Sequence, residues 1–585
     1  MRIRRDNERG VLLIISMVVM VVLAVLTSVY LMTIVTEKHS TDSERFVIQA
    51  VHLAEAGANH AWAEMRSRIE TDLRLRMENY TPRNQQGSAL MAYVTSDAAL
   101  EFLHDHAYPS SGTQFEVQDE EAVLTIATDI KSGLNSAIEG DTITSTLRIV
   151  SRQAPTGDAV NQIYRFYYTY TVEATARLTR FNPPMVKTIA FAPNDFDLVV
   201  RQDNFAKYAL FTFHHRTPSG TTVWFTADTN FFGPVHTNER FSFANAPSAH
   251  FTNEVTQSQG TARFYNNGSS ILLDADHNGS RDVPQFDNGF LRSQDTIPLP
   301  AAISQTELRD AALGGMAVPG TSSPGVYVPE SGGTLTGGIY LNGNSGQSSD
   351  NPTVVMSVDG SNNAVYTITQ YYSHANHTTV ITVDNAANTT TVVSDGVSTT
   401  YNGKPDGNTH EGTIIYANDD IAGFSGTVQQ DTQITVSGER DIVISGNVMY
   451  QAYNTTPNLN AAGYNNLLGI LSWGGDVRIG TTAPDDVNVH AVVMAPHGVF
   501  TVDDYSTGSS RGTATLLGGV ISDWYGAFGT FSGTSGMRTG YGRNFIYDDR
   551  VLQGMAPPYF PYMDRFTIDN PVELSRKMVW REMDE

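Results

Sequence analysis

The chain has 585 residues, 61 acidic against 37 basic, for a net charge of −24 and no cysteine. This excludes disulfide frameworks, thiolate metal sites and cysteine nucleophiles, and the sign of the charge opposes phosphate-tracking nucleic-acid binding. Residues 1–80 are neutral, with ten basic and ten acidic side chains, so the whole net charge lies beyond them. A neutral, partly apolar stem precedes a large acidic body, too long for one core.

Residues 1–10 form a basic leader with Arg2, Arg4, Arg5 and Arg9. Val11 to Val35 follow without a charge. At 1.5 Å per residue this stretch spans about 37 Å, enough for a bilayer core of about 30 Å. The arginines predict a cytoplasmic N-terminus and a body on the far side of an inner membrane. A cleaved secretory signal would have a shorter apolar region and a small-residue cleavage site. Apolar residues then recur at Val47, Val51, Ala54, Ala58, Ala61, Trp62, Met65 and Ile69, which predicts one helix continuing over 11–78 with a stripe in need of a partner. Gly57 inside that stripe suggests close packing.

The basic leader ending in Gly10, the apolar run from the next residue and the single long helix resemble the N-terminus of type IV pilin-like proteins. The segment Val51-His-Leu-Ala-Glu-Ala-Gly-Ala-Asn-His60 further resembles PilX-type minor pilins. The resemblance implies cleavage by a prepilin peptidase between Gly10 and Val11, methylation of the new N-terminus, and packing of the helix among other pilins or pseudopilins. Two positions depart from the pattern. Val11 stands where pilins usually have Phe, and Ile15 where most have Glu. That glutamate would neutralise a neighbouring subunit's N-terminal ammonium in an apolar filament core, where an unpaired charge costs several kcal/mol. Its absence favours a low-copy or tip subunit, as in the minor tip component of type II secretion pseudopili, and leaves an uncleaved signal anchor as the alternative.

Residues 79–90 read as a polar linker, and 89–105 as one or two helices. From Tyr164 to Leu178 every even position is apolar, a half-buried strand. Asn182-Pro-Pro184 marks a boundary, so 79–190 is expected as an α/β segment with long strands. Over 191–560 short apolar runs alternate with Gly, Asn, Asp and Ser, as in Gly325-Val-Tyr-Val328, Gln433-Ile-Thr-Val436 and Asn447-Val-Met-Tyr450. This predicts a large β-rich domain, either a sandwich or a right-handed β-helix-like core, with residues 561–585 as a tail. The expected class is α+β, mostly β. The segments Gly233-Pro-Val-His-Thr-Asn238, Gly337-Gly-Ile-Tyr-Leu-Asn342, Arg440-Asp-Ile-Val-Ile444, His490-Ala-Val-Val-Met494, Gly518-Gly-Val-Ile521 and Tyr547-Asp-Asp-Arg550 resemble a bacterial family of unknown function found with PilX-like stems. That resemblance implies a surface-appendage context and brings no catalytic residues.

Asp274, Asp276, Asn278 and Asp282 place oxygen donors at positions 1, 3, 5 and 9 around Gly279, the front half of a calcium loop, with Gln285 where a bidentate Glu would close it. Two readings stand, a calcium site or an Asx-rich turn. The histidines (His214, His215, His236, His374, His377, His410, His490 and His497) have no metal-ligand spacing. The pairs Asp419-Asp420, Asp485-Asp486, Asp503-Asp504 and Asp548-Asp549 read as turns, because neighbours on a strand face opposite ways. The aromatic runs 523–531 and 557–562 read as core or as a glycan-stacking surface. Phosphate-loop, dinucleotide and Gly-x-Ser-x-Gly motifs are absent from the sequence. The leading expectation is a membrane-anchored minor pilin or pilin-like structural protein, not an enzyme. A pilus-associated adhesin with a surface or glycan ligand is second, and a glycan-cleaving β-helix enzyme a distant third.

Overall fold

The structure, a computed structural model, describes residues 4–78, 90, 93–94, 96–107, 115–118, 121–129, 141–158, 163–179, 183–226, 229–244, 249–266, 268–300, 302–343, 351–407, 412–456, 458–459, 462–532, 536–569 and 580–583. The linker expected at 79–90, apart from Leu90, lies outside these residues, as does His410. The chain forms two compact units, Met1–Arg201 with Arg565–Glu585, and Gln202–Asp564. It is mostly β, with one long apolar helix near the N-terminus.

In the first unit the helix Arg4–Ser67 continues through a wider π-type turn, Arg68–Leu73, into Arg74–Glu78. Its distal half buries Ala50, Ala54, Ala58, Ala61, Met65, Ile69, Leu73 and Met77. The partner of that stripe is the unit's own antiparallel sheet, through the strands β3 (Thr142–Asp158) and β4 (Ile163–Leu178). The sheet begins with β1 (Phe115–Gln118) and β2 (Glu121–Asp129), and β5 (Met185–Asn204) follows β4.

The expected alternation in β4 is present at every position. Tyr164, Phe166, Tyr168, Tyr170, Val172, Ala174, Ala176 and Leu178 are all buried. Side-chain size along β4 sets what covers it. The aromatic half meets the short helix Ser96–Ala107, where Phe102 stacks on Phe166 at 4.4 Å and the Tyr168 hydroxyl donates to Ala99 O at 2.7 Å. The small half, Ala174 and Ala176, lets the long helix come close at Gly57. A Cβ there would run into Ile143 Cγ2 and lie 2.8 Å from Ser145 Oγ.

Pro183 and Pro184 do not mark a domain boundary. They lie in the connection between β4 and β5, whose ends pair as Leu178 with Met185. β5 is unbroken at residue 190, and the division between units falls at 201/202 and 564/565 instead of 190/191 and 560/561. Within the expected tail 561–585, Trp580–Met583 pairs with β5 and so belongs to the first unit's sheet.

From Ile339 to Trp524 the second unit alternates between two parallel ladders, interrupted by the antiparallel strands between Ala364 and Asn402. One contains Ile339–Asn342, Thr413–Ala417, Gln433–Gly438, Leu467–Ser472, Asn488–Ala495 and Ser510–Trp524. The other contains Thr353–Val358, Ile421–Val428, Ile442–Tyr450, Val477–Ile479 and Phe500–Val502. In the first ladder Ile339, Ile415, Val436, Ile470, Val493 and Val520 stack in one buried apolar column. The column does not stop there. Val520 pairs with Leu210, and Val235, Val255 and Phe290 follow. The unit's first strands therefore stack beyond its last ones. At that junction Gly518 has φ +145°, and a Cβ on Gly519 would run into Tyr208 O.

Gly57 gives a test with a sign. In an exposed helix, Gly→Ala stabilises by about 1 kcal/mol. At Gly57 the clash with Ile143 and Ser145 outweighs this, and overpacking of this kind costs about 1–3 kcal/mol. Gly57→Ala is expected to lower the melting temperature of the detergent-solubilised chain. A melting temperature above wild type would show that the helix does not seat on the sheet in this way.

Candidate functional site

The most exposed apolar surface is on the long helix. From Val11 to Val35 its large apolar side chains are 41–74% exposed, with mean hydropathy 3.0 over the most apolar window. By length and composition the helix can cross a membrane. Its hydroxyls are provided for locally: Ser16, Thr27, Thr33 and Thr36 donate to the carbonyls of Leu13, Leu23, Val29 and Met32 at 2.6–3.0 Å. Back-bonding of this kind hides a polar group from lipid. Gly10, Val11 and Ile15 all sit on this helix and are exposed.

The acidic loop is held by a side chain the spacing did not indicate. Asp274 Oδ1 and Asp276 Oδ1 each lie 2.8 Å from Arg292, on Nε and on the terminal nitrogen. Asn278 and Asp282 pair with one another instead, Asn278 N donating to Asp282 O at 3.0 Å and Nδ2 to Oδ2 at 3.2 Å. Gln285 turns to Asp287 at 2.9 Å. Among the described residues no three acidic or histidine side chains gather as a metal set. A cation entering this loop would compete with the Arg292 guanidinium for both carboxylates.

The remaining motif residues are structural joints. Asn238 clamps the backbone of Ile297, donating from Nδ2 to its O at 2.7 Å and accepting its N–H at 2.9 Å. His236 backs the clamp, with Nε2 2.9 Å from Asn238 Oδ1 and Nδ1 2.7 Å from Thr256 Oγ1. His490 Nδ1 accepts the Tyr450 N–H at 3.0 Å. His215 is enclosed by Phe225, Phe241 and Tyr525. His377 stacks on Tyr372 at 3.9 Å. The Arg550 guanidinium, 1% exposed, is held by Asp548 at 2.9 and 2.6 Å and covers the Tyr450 ring. Tyr525, Phe528 and Phe560 of the aromatic runs are buried.

One cluster of ionisable groups lies near the surface. His214 stacks on Trp524 at 4.1 Å, with Nδ1 3.1 Å from Glu239 Oε1 and Nε2 3.8 Å from Asp523 Oδ1. Arg216 also pairs with Glu239 at 3.0 Å and lies over the Trp524 ring at 5.3 Å. Burial raises the Asp523 carboxyl pKa, and His214 and His497 pull it back. Glu239 and the Asp523–Trp524 pair come from other strands than His214 and Arg216, so no single local spacing announces the whole group. Its charges are mutually satisfied, which suits a surface knot better than a site that must turn toward a substrate.

Residues 164–260 match a domain of unknown function, DUF4900. The match runs from β4 through the Asn238 clamp to the strand Val255–Gln257. No curated protein and no solved structure matches the chain.

Burial pushes the His215 pKa down to about 3, with Arg543 and Arg263 adding to it, and that of His490 to about 4, where Asp548 opposes the drop and Arg550 adds to it. An unfolded histidine titrates near pH 6.5. The stability these neutral rings contribute is complete above about pH 6.5 and is lost as pH falls toward 4, because the unfolded chain takes up the proton first. Burial raises Asp420, Glu439, Asp476 and Asp523, which act with the opposite sign. A single substitution therefore isolates the histidine effect. His490→Gln is expected to flatten the fall in melting temperature between pH 6.5 and 4. An unchanged slope would remove His490 as a cause.

Proposed function

We propose that this chain is a pilin-like structural protein, anchored in a bacterial inner membrane by one helix and displaying an acidic β-rich body on the far side. One observation carries the reading. A single helix presents 25 uncharged residues outward and then buries its Ala/Met stripe in its own unit's sheet. The distal half is thus occupied, and only the proximal half is left for lipid or for other helices. The arginines before it favour a cytoplasmic N-terminus. The −24 charge favours a body held away from anionic headgroups.

Ile15 supports a low-copy or tip position, since repeated stacking would leave an N-terminal ammonium unpaired. The two alternating ladders support a β-helix-like core for the body. Crossovers between parallel strands are almost always right-handed, which gives the hand of that coil. The reading gives the body no catalytic role; that His236, His490 and Asp548 are engaged in joints within the fold supports it.

The mature N-terminus tests the proposal. Mass spectrometry of the protein from hosts with and without prepilin peptidase is expected to find a methylated Val11 that depends on the enzyme. An uncut leader in both hosts would overturn entry into pilin assembly and leave an uncleaved signal anchor. Membrane retention is expected in both cases, and Leu23→Arg is expected to weaken it.

A further inference from the structure

We propose that the strand Val397–Asn402 is an open dimerisation edge, which pairs antiparallel with the same strand of a second copy of this chain. The inference is independent of the membrane anchor. It begins where the second unit leaves its ladders. Thr353–Val358, Ala364–Tyr372, Ala375–Asp384, Thr389–Ser394 and Val397–Asn402 form a consecutive antiparallel meander before the chain returns at Thr413.

The last strand has a full neighbour on one side only. On the other, among the described residues, the contact is at its end, where Thr334 pairs with Asn402 and Asn402 N donates to Gly333 O at 2.9 Å. Val397 is 68% exposed, and Ser398, Thr399 and Thr400 are exposed as well. Parity shows which backbone groups face the open side. Ser394 and Val397 close a two-residue turn over Asp395 and Gly396, both with positive φ. In such a hairpin the closing pair is hydrogen-bonded, so Val397, Thr399 and Tyr401 bond inward. Ser398 and Thr400 then present N–H and C=O outward, as Asn402 does toward Gly333.

Natural sheets protect such an edge with Lys, Pro, a bulge or a cover. Val-Ser-Thr-Thr-Tyr at 397–401 has none of these residues and consists mostly of good strand formers. The open groups at 398 and 400 are symmetric about Thr399. The strand therefore complements itself under a two-fold axis, with four hydrogen bonds between Ser398 and Thr400 of one copy and Thr400 and Ser398 of the other. Charge argues for a second copy as occupant. In a chain of −24 most self-contacts oppose acid to acid, but this edge carries no charge. Nor does the pair beside it, where Thr391 meets Thr400 at 2.9 Å; the nearest charge is Asp395 in the turn, 3.3 Å from His377. The cover at Asn402 confines pairing to Val397–Tyr401, and the partner strand ends there too, at its own Asp395–Gly396 turn.

The absence of cysteine makes a clean test. In the paired edge Thr399 faces its own copy at a non-hydrogen-bonded position, with Cα atoms about 4.5 Å apart. That is within disulfide reach of about 4.4–6.8 Å. Thr399→Cys in the full detergent-solubilised chain is expected to give an oxidised dimer, and Ser361→Cys, in an exposed turn, is not. Thr400→Pro removes an outward donor and leaves the inward ladder intact, as proline on an edge strand does. Added to Thr399→Cys it should cut cross-linking at least tenfold, and alone it should convert a concentration-dependent dimer to monomer in sedimentation. The proposal is overturned if Thr399→Cys cross-links no faster than Ser361→Cys, or if it is captured only by a different protein in host cells. A dimer that survives Thr400→Pro with unchanged circular dichroism would also overturn it. If Thr400→Pro does not fold, the comparison of the two cysteine variants decides alone.

Discussion

The pairing of Ser510–Trp524 with Leu210–His214 joins the two ends of the second unit. Without it the apolar column would end at Val520, and the strands from Leu210 to Leu291 would form a separate, smaller stack. With it, ten residues from Ile339 to Phe290 bury one another in a single line. Each rung of a parallel stack covers the previous rung and leaves its own far side open. The junction therefore removes two apolar ends at once. Gly519 stands at this contact because the carbonyl of Tyr208 leaves no space for a Cβ, and Gly518 beside it because the carbonyl of Ala491 on the preceding rung leaves none.

Parts of this architecture were legible in sequence. The even-position apolar run of β4 and the helical stripe from Ala54 to Ile69 are periodic signals carried by burial, and both are present. The ladders were harder to read. Ile415, Val436, Ile470, Val493 and Val520 occupy one column, yet are 21, 34, 23 and 27 residues apart. Loops of unequal length hide the repeat, and the permuted order hides it further. The site residues fared likewise. Asn238 has its partner 59 residues away, and Arg292 lies 16 residues beyond the second aspartate it holds. Spacing reports only on residues that the local backbone brings together. These partners meet across rungs.

The acidity of the body also has a structural use. Asp420 Oδ1 accepts the N–H of Asp441, Asp441 Oδ1 that of Asp476, and Asp476 Oδ1 that of Val499, all at 2.8–2.9 Å. At this corner each turn of chain is tied to the next by a carboxylate, and Arg478 bridges Asp441 and Asp503 across the same row at 3.0 and 2.8 Å. Adjacent acidic residues that look like solvated turns in sequence can thus be the fasteners of a stack. Ionised acceptors bond backbone N–H more strongly than neutral ones do.

The permuted stacking also sets a schedule. Leu210 and Val520 are 310 residues apart in the chain. A ribosome adding roughly 5–20 residues per second needs about 15–60 s between them. For that time the early strands can stack on one another, but their inner edge has no partner. Contacts of such long sequence separation fold slowly and leave sheet edges exposed. The second unit therefore keeps an unpaired sheet edge until its last rungs are made. Any event that halts synthesis after the Asp476 rung releases a body that is folded in part and cannot close.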